Sequence, residues 1–125
     1  MGAMSLPKET KAEQSSRMAA LEMATLNAAH VPLHVAKNSL KVMALAVRCA
    51  EAGNLNAISD AASGCAMARA ALTSAGFNVR INVNHLPDKS TGKHLLDELA
   101  SVESQAAIIQ EKLSRVMKSR GGLGA

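Results

Sequence analysis

The sequence predicts an all-α protein, a multi-helix antiparallel bundle, and three observations lead there. Two long stretches, 33–50 and 95–116, carry apolar side chains at alternating spacings of three and four, the repeat of one helix face. Turn-forming residues divide the chain at Pro7, at Gly53-Asn54-Leu55-Asn56 and at Pro87-Asp88. The 125 residues are 48% apolar yet include a single aromatic, Phe77, so the core must be built from aliphatic and small side chains. A chain of this length makes one modest domain or part of a larger one. We divide it into an N-terminal segment and loop (1–10), a helical domain (11–118) and a flexible tail (119–125).

Leu6-Pro7-Lys8-Glu9-Thr10 reads as a loop, because Pro7 stops any preceding helix. From Lys11 to Ala29 good helix formers carry Met18, Leu21 and Leu26, until Val31-Pro32 predicts a break or kink. A second helix then spans Leu33 to Ala52, with Leu33, Ala36, Leu40, Met43, Val47 and Ala50 in one seam. Val42, Ala46 and Cys49 form an adjacent stripe, so this helix should touch several neighbours. Gly53 ends it. Ser59 is the expected N-cap of the next helix, and Asp60 suits the positive end of its dipole. Residues 59–76 are dense in Ala, Ser, Gly and Thr, which let another backbone approach closely. Asn78-Val79-Arg80-Ile81-Asn82-Val83-Asn84 alternates with period two and, read alone, is a strand; a lone strand among helices would have no ladder partner. The last helix, Thr91 to Lys118, carries Leu95, Leu99, Val102, Ala106, Ile109, Leu113 and Val116 in a sustained seam. Burying that seam is worth on the order of 10 kcal/mol before chain entropy, so the helix must dock on something. Lys112, Arg115, Lys118 and Arg120 suit its C-terminal end, and Gly121 to Ala125 reads as a frayed tail.

Fourteen Lys and Arg against 10 Asp and Glu give a net charge of +4, which favours a small anionic ligand but is weak for duplex binding. Without stacking aromatics a single-stranded nucleic-acid surface is not expected either. Cys49 and Cys65 form no CxxC and are expected as reduced thiols. No secretory or myristoylation pattern opens the chain, and its longest apolar stretch, 61–79, contains Arg69, Asn78 and several hydroxyls. We therefore expect a cytoplasmic protein with no nucleic-acid or membrane partner. His30 and His34 are four apart, but Pro32 lies between them and no HExxH glutamate is present, so no metal site is expected. His85 and His94 flank a loop and are candidate acid–base groups, His85 the better.

Asn54, Asn56, Ser59, Asp60, Asn78, Arg80, Asn82 and Asn84 bracket an apolar helix at both ends. Amides offer donors and acceptors without charge, which suits the heteroatom edge of a pterin or purine, and Arg80 could pair with a carboxylate or phosphate. The same residues also read as turn formers, helix caps and a solvated face.

Gly53-Asn54-Leu55-Asn56-Ala57-Ile58-Ser59-Asp60-Ala61, followed by Met67-Ala68, Ala70-Ala71 and Asn78-Val79-Arg80-Ile81-Asn82, resembles the formiminotetrahydrofolate cyclodeaminase and methenyltetrahydrofolate cyclohydrolase family. Upstream, Leu6-Pro7-Lys8-Glu9-Thr10, Arg17 and Ala28-Ala29-His30-Val31-Pro32-Leu33 resemble the family's LPKxT segment and the proline-started helix after it. The resemblance implies an all-helical, intertwined or symmetric homodimer or higher homo-oligomer, with 78–84 as the end of a long helix. It implies a tetrahydrofolate derivative as substrate and no metal. Asp60 would transfer a proton or hold the pterin edge, Asn54, Asn78 and Asn82 would hydrogen-bond, Ser59 would join that binding set, and Arg80 would contact an anion. With His85 as the second proton-transfer candidate, these form the candidate site. Family members carry further helices and a glycine-rich PGGGS-like loop before the part matching Leu6, so the chain resembles the C-terminal portion of the domain. Little turnover by itself is then expected, and the alternative is a non-catalytic helical oligomerisation module. The two seams add their own expectation of self-association, since each needs a partner surface.

Overall fold

The computed structural model describes residues 2–123, which form three α-helices and no strand: α1 (Lys11–Ala52), α2 (Ile58–Asn84) and α3 (Lys93–Ser119). Single 3-10 turns occupy Gly2–Ser5, Leu55–Ala57 and Lys89–Gly92. Met1, Gly124 and Ala125, and with the last two the end of the expected tail, lie outside the described residues.

A reciprocal pair starts α1. The Thr10 hydroxyl accepts from the Glu13 N–H at 3.0 Å, and the Glu13 carboxylate accepts from the Thr10 N–H at 3.3 Å. The helix then runs unbroken through Pro32, where the sequence predicted a break. Proline in a helix interior costs ~3 kcal/mol, but Ala29, Leu33 and Ala36 around it are buried, and holding them outweighs that cost.

Ser59 does not cap α2. The first helical residue is Ile58 and the N-cap is Ala57, which makes no side-chain bond. The cap acts one turn earlier, where the Asn54 side chain accepts from the Asn56 N–H at 2.9 Å and nucleates the 3-10 turn that runs straight into α2. The period-two stretch is helix, as the resemblance implied. Val79 and Val83, four apart, are buried, whereas Ile81 between them is 56% exposed, so the alternation coincided with a helical repeat. Helix α3 begins at Lys93 rather than Thr91, after Gly92 has packed where a Cβ would come within 2.8 Å of Val83.

Helix α2 folds back antiparallel along α1, and α3 lies over both. Ion pairs Lys37–Glu98 (2.8 Å) and Glu51–Lys112 (3.2 Å) set α3 parallel to α1. Leu33, Met43, Leu72, Val79, Leu95 and Leu99 form the centre of the core. The two seams that were expected to need a partner chain therefore bury against α2 and each other within one chain. With Asn82 near the end of α2 touching Ala28, the first turns of α1 extend beyond the bundle, and Met18 and Met23 are exposed there.

Candidate functional site

On the face turned away from α3, α1 and α2 leave an open apolar groove. Two connected hollows form it, of about 510 and 600 Å³, which share Val35 and Ala71. Val31, Val35 and Val42 make the α1 wall, and Gly64, Met67, Ala71 and Ser74 make the α2 wall. The 510 Å³ hollow ends in amides, because Asn78 and Asn82, one turn apart on α2, both line it. Pro32 sits opposite them on α1.

Pro32 has no N–H, so the carbonyl of Ala28, four residues before, loses its helical donor. Asn82 compensates across the groove: its Nδ2 donates to the Ala28 oxygen at 3.4 Å and to the Asn78 carbonyl at 2.9 Å. The Asn78 amide likewise donates back, to the Ser74 carbonyl at 3.5 Å. Both hydrogens of the Asn82 amide are thereby engaged by main chain and one of the Asn78 amide is, and the remaining capacity of the two side chains is open to the groove they line.

The other candidate residues lie elsewhere. Arg80 points toward α3, where it pairs with Glu103. His85 follows the last residue of α2 and is exposed. Asn54, Ser59 and Asp60 are exposed at the opposite end of α2; Asp60 stands in its first turn, where a carboxylate complements the dipole. At ~1.5 Å per residue, Asp60 and Asn78 are about 27 Å apart along the helix. The structure thus unites Asn78 and Asn82 and separates them from Asp60.

Sequence reasoning missed Arg120, read as a dipole partner for its own helix and the start of the tail. Its guanidinium donates to the carbonyls of Ala50 and Gly53, each at 2.6 Å, closing the C-terminal end of α1 and fixing the loop that carries Asn54. The available signal was that the last turn of α1 has no basic residue of its own. The Ala28 carbonyl was missed as well, although Pro32 announced it.

Two further clusters complete the inventory. His30 and His94 face each other with ring centroids 6.1 Å apart, beside the Lys37–Glu98 pair, and the lysine holds the Glu98 carboxyl below its usual range. No group of three His, Cys, Asp or Glu suited to a metal occurs among the described residues. Cys65 is buried, which pushes its thiol up, against a smaller opposing effect of Arg69.

The chain is a three-helix domain with an amide-ended groove, and the Asn-rich motifs at both ends of its middle helix lie within the stretch that matches known proteins. The sequence profile of the formiminotransferase-cyclodeaminase family matches residues 1–101, and the chain belongs to that family. It is 38% identical over 120 residues to a methenyltetrahydrofolate cyclohydrolase of Methylorubrum extorquens, covering 96% of this chain and 58% of that protein. It is 30% identical over 113 residues to a formimidoyltransferase-cyclodeaminase of Rattus norvegicus, covering 87% and 21%. The corresponding Gallus gallus protein is 35% identical over 89 residues, covering 71% and 16%. The chain therefore spans little more than half of the cyclohydrolase and about a fifth of the rat enzyme.

Proposed function

We propose that this chain serves tetrahydrofolate one-carbon metabolism, in a reaction of the cyclohydrolase or cyclodeaminase type. The observation that carries this reading is the 38% identity to a methenyltetrahydrofolate cyclohydrolase along 96% of the chain. The candidate reactions are addition of water to a methenyl bridge, or loss of ammonia from a formimino group with ring closure, a lyase step. Both require proton transfer at nitrogen and a polar anchor for the pterin.

The groove between α1 and α2 supports the anchoring half. Its size suits a small ligand, its walls are apolar, and the Asn78 and Asn82 amides at its polar end are placed to hydrogen-bond a pterin edge. Asp60 and His85 are the proposed proton carriers, Asn54 and Ser59 hydrogen-bonding groups beside Asp60, and Arg80 an anion contact once it leaves Glu103. No metal takes part. Since about 27 Å separates Asp60 from Asn78 along α2, one copy cannot apply both ends to one pterin. We therefore propose a homodimer or higher homo-oligomer, acting in the cytoplasm, in which the bare groove faces another copy; the chain as a lone monomer turns over little or no folate. No helix among the described residues is long and apolar enough to cross a membrane.

The bare groove equally favours a second reading, a non-catalytic helical module that only assembles. Calorimetry with 5-formyltetrahydrofolate separates the two. Binding that weakens in Asn78→Leu supports the folate reading, and absence of binding at millimolar ligand retires it. In parallel, the decay of methenyl absorbance is followed with excess protein. A rate well above buffer that is lost in Asp60→Asn would overturn the expectation of low turnover.

A further inference from the structure

Pro32 is the residue of α1 that helix physics disfavours most, and the core does not require it, since a half-buried alanine there would keep the helix and gain a main-chain hydrogen bond. Its consequence lies in the groove. The Ala28 carbonyl is stripped of its helical donor, and its replacement, the Asn82 amide, stands at 3.4 Å, well beyond the ~2.9 Å of a good N–H···O bond. A carbonyl oxygen has two lone pairs, so this one keeps most of its accepting capacity. It belongs to a residue lining the hollow of about 510 Å³, beside Asn78 and Asn82. One main-chain carbonyl and two side-chain amides therefore gather at one end of an apolar groove, the Asn82 amide with both hydrogens directed to main chain and the Asn78 amide with one.

We propose that Pro32 is a specificity-determining residue, which frees the Ala28 carbonyl to accept a hydrogen bond from the exocyclic amino group of a flat nitrogen heterocycle held in this groove. The inference rests on the folate reading for the identity of the ring, a 2-aminopterin, and adds to it the atom that recognises the amino group. The valine wall of α1 and the Ala71 and Ala75 backbone side of α2 lie along the faces of such a ring, and its donor edge meets the acceptor-rich end. Asn82 acts as a positioning residue here. It shares one hydrogen with the Ala28 oxygen and the other with the Asn78 carbonyl, which ties the orphaned carbonyl to the α2 side of the groove.

The test uses a substitution whose structural and functional effects have opposite signs. Pro32→Ala restores the N–H to the Ala28 carbonyl, so the melting temperature should rise. If the carbonyl recognises the amino group, affinity for folic acid should fall about five- to tenfold, what one neutral hydrogen bond carries. A folic acid analogue lacking the 2-amino group should bind the wild type weaker than folic acid by the same factor, and bind Pro32→Ala no worse than wild type. The proposal is supported by a more stable variant that has lost discrimination between the two ligands. It is overturned, with the folate reading intact, if folic acid binds wild type and Pro32→Ala equally well. It is overturned together with that reading if folic acid binds neither. A loss of affinity equal for both ligands would also overturn it, since that reports a reshaped groove rather than a lost acceptor.

Discussion

The α1–α2 pair has two apolar faces built on the same three-and-four spacing, and only one is covered. The face under α3 is bulky, with Leu33, Met43, Leu72 and Val79 at 2% exposure or less. The opposite face carries Val31 at 68%, Val35 at 45%, Val42 at 49% and Met67 at 74% exposure, with Gly64, Ala71 and Ser74 between them. Long aliphatic side chains fill a layer and close it. Short and β-branched ones leave a trough wide enough for a second helix or a flat ring. Contiguous exposed apolar surface of this kind is characteristic of interaction sites, and the amides at its end give it polarity and direction.

The largest effect that tests this contrast is on stability. Leu72→Ala on the covered face should cost about 2–5 kcal/mol in urea unfolding, and Val35→Ala on the bare face about 0.5 kcal/mol or less. Equal costs would mean that the second face is covered too. Next comes Arg120→Met, expected to cost about 2 kcal/mol, because two main-chain carbonyls at the end of α1 lose a charged donor. Hydrogen exchange should then quicken first in residues 53–57, and uniform quickening would show that Arg120 acts on the whole bundle instead.

The cysteines report the two faces chemically. Cys65 is buried on the covered side with its thiol pushed up, whereas Cys49 is exposed, on the helix face seven residues on from Val42. Ellman's reagent should label one thiol rapidly in the native state and the second only on unfolding. If another copy covers the groove, labelling of Cys49 should slow as protein concentration rises, which sharpens the comparison into a binding curve.

The smallest effect is electrostatic. The hydrogen bond from Lys37 holds the Glu98 carboxyl below its ordinary value, so its contribution to stability is complete above the unfolded pKa and is lost as pH falls through the folded one. Both side chains are about half exposed, so that contribution is small. Carboxyl NMR should show the Glu98 midpoint moving up in Lys37→Met. No movement would place the cause in the neighbouring histidines.

Much of this molecule was legible in its sequence, for local reasons. Leu33 to Ala50 and Leu95 to Val116 are core seams because their spacing puts one side of a helix out of water whatever it meets. Helix α1 starts at Lys11 because good helix formers follow the loop that Pro7 opens. The Asn-rich motifs pointed to the family through residues that stand in the sequence itself. Tertiary contacts decided the rest. Pro32 lies inside a continuous helix because buried neighbours hold both flanks, and because Asn82, 50 positions later, reaches the carbonyl it orphaned. Arg80 pairs with Glu103 and Arg120 closes a helix other than its own, since partners 23 and 70 residues away became neighbours only when α3 docked. Spacing fixes which residues share a face, but which of two similar faces is buried depends on the bulk of everything packed against it, and that is a property of the assembled fold.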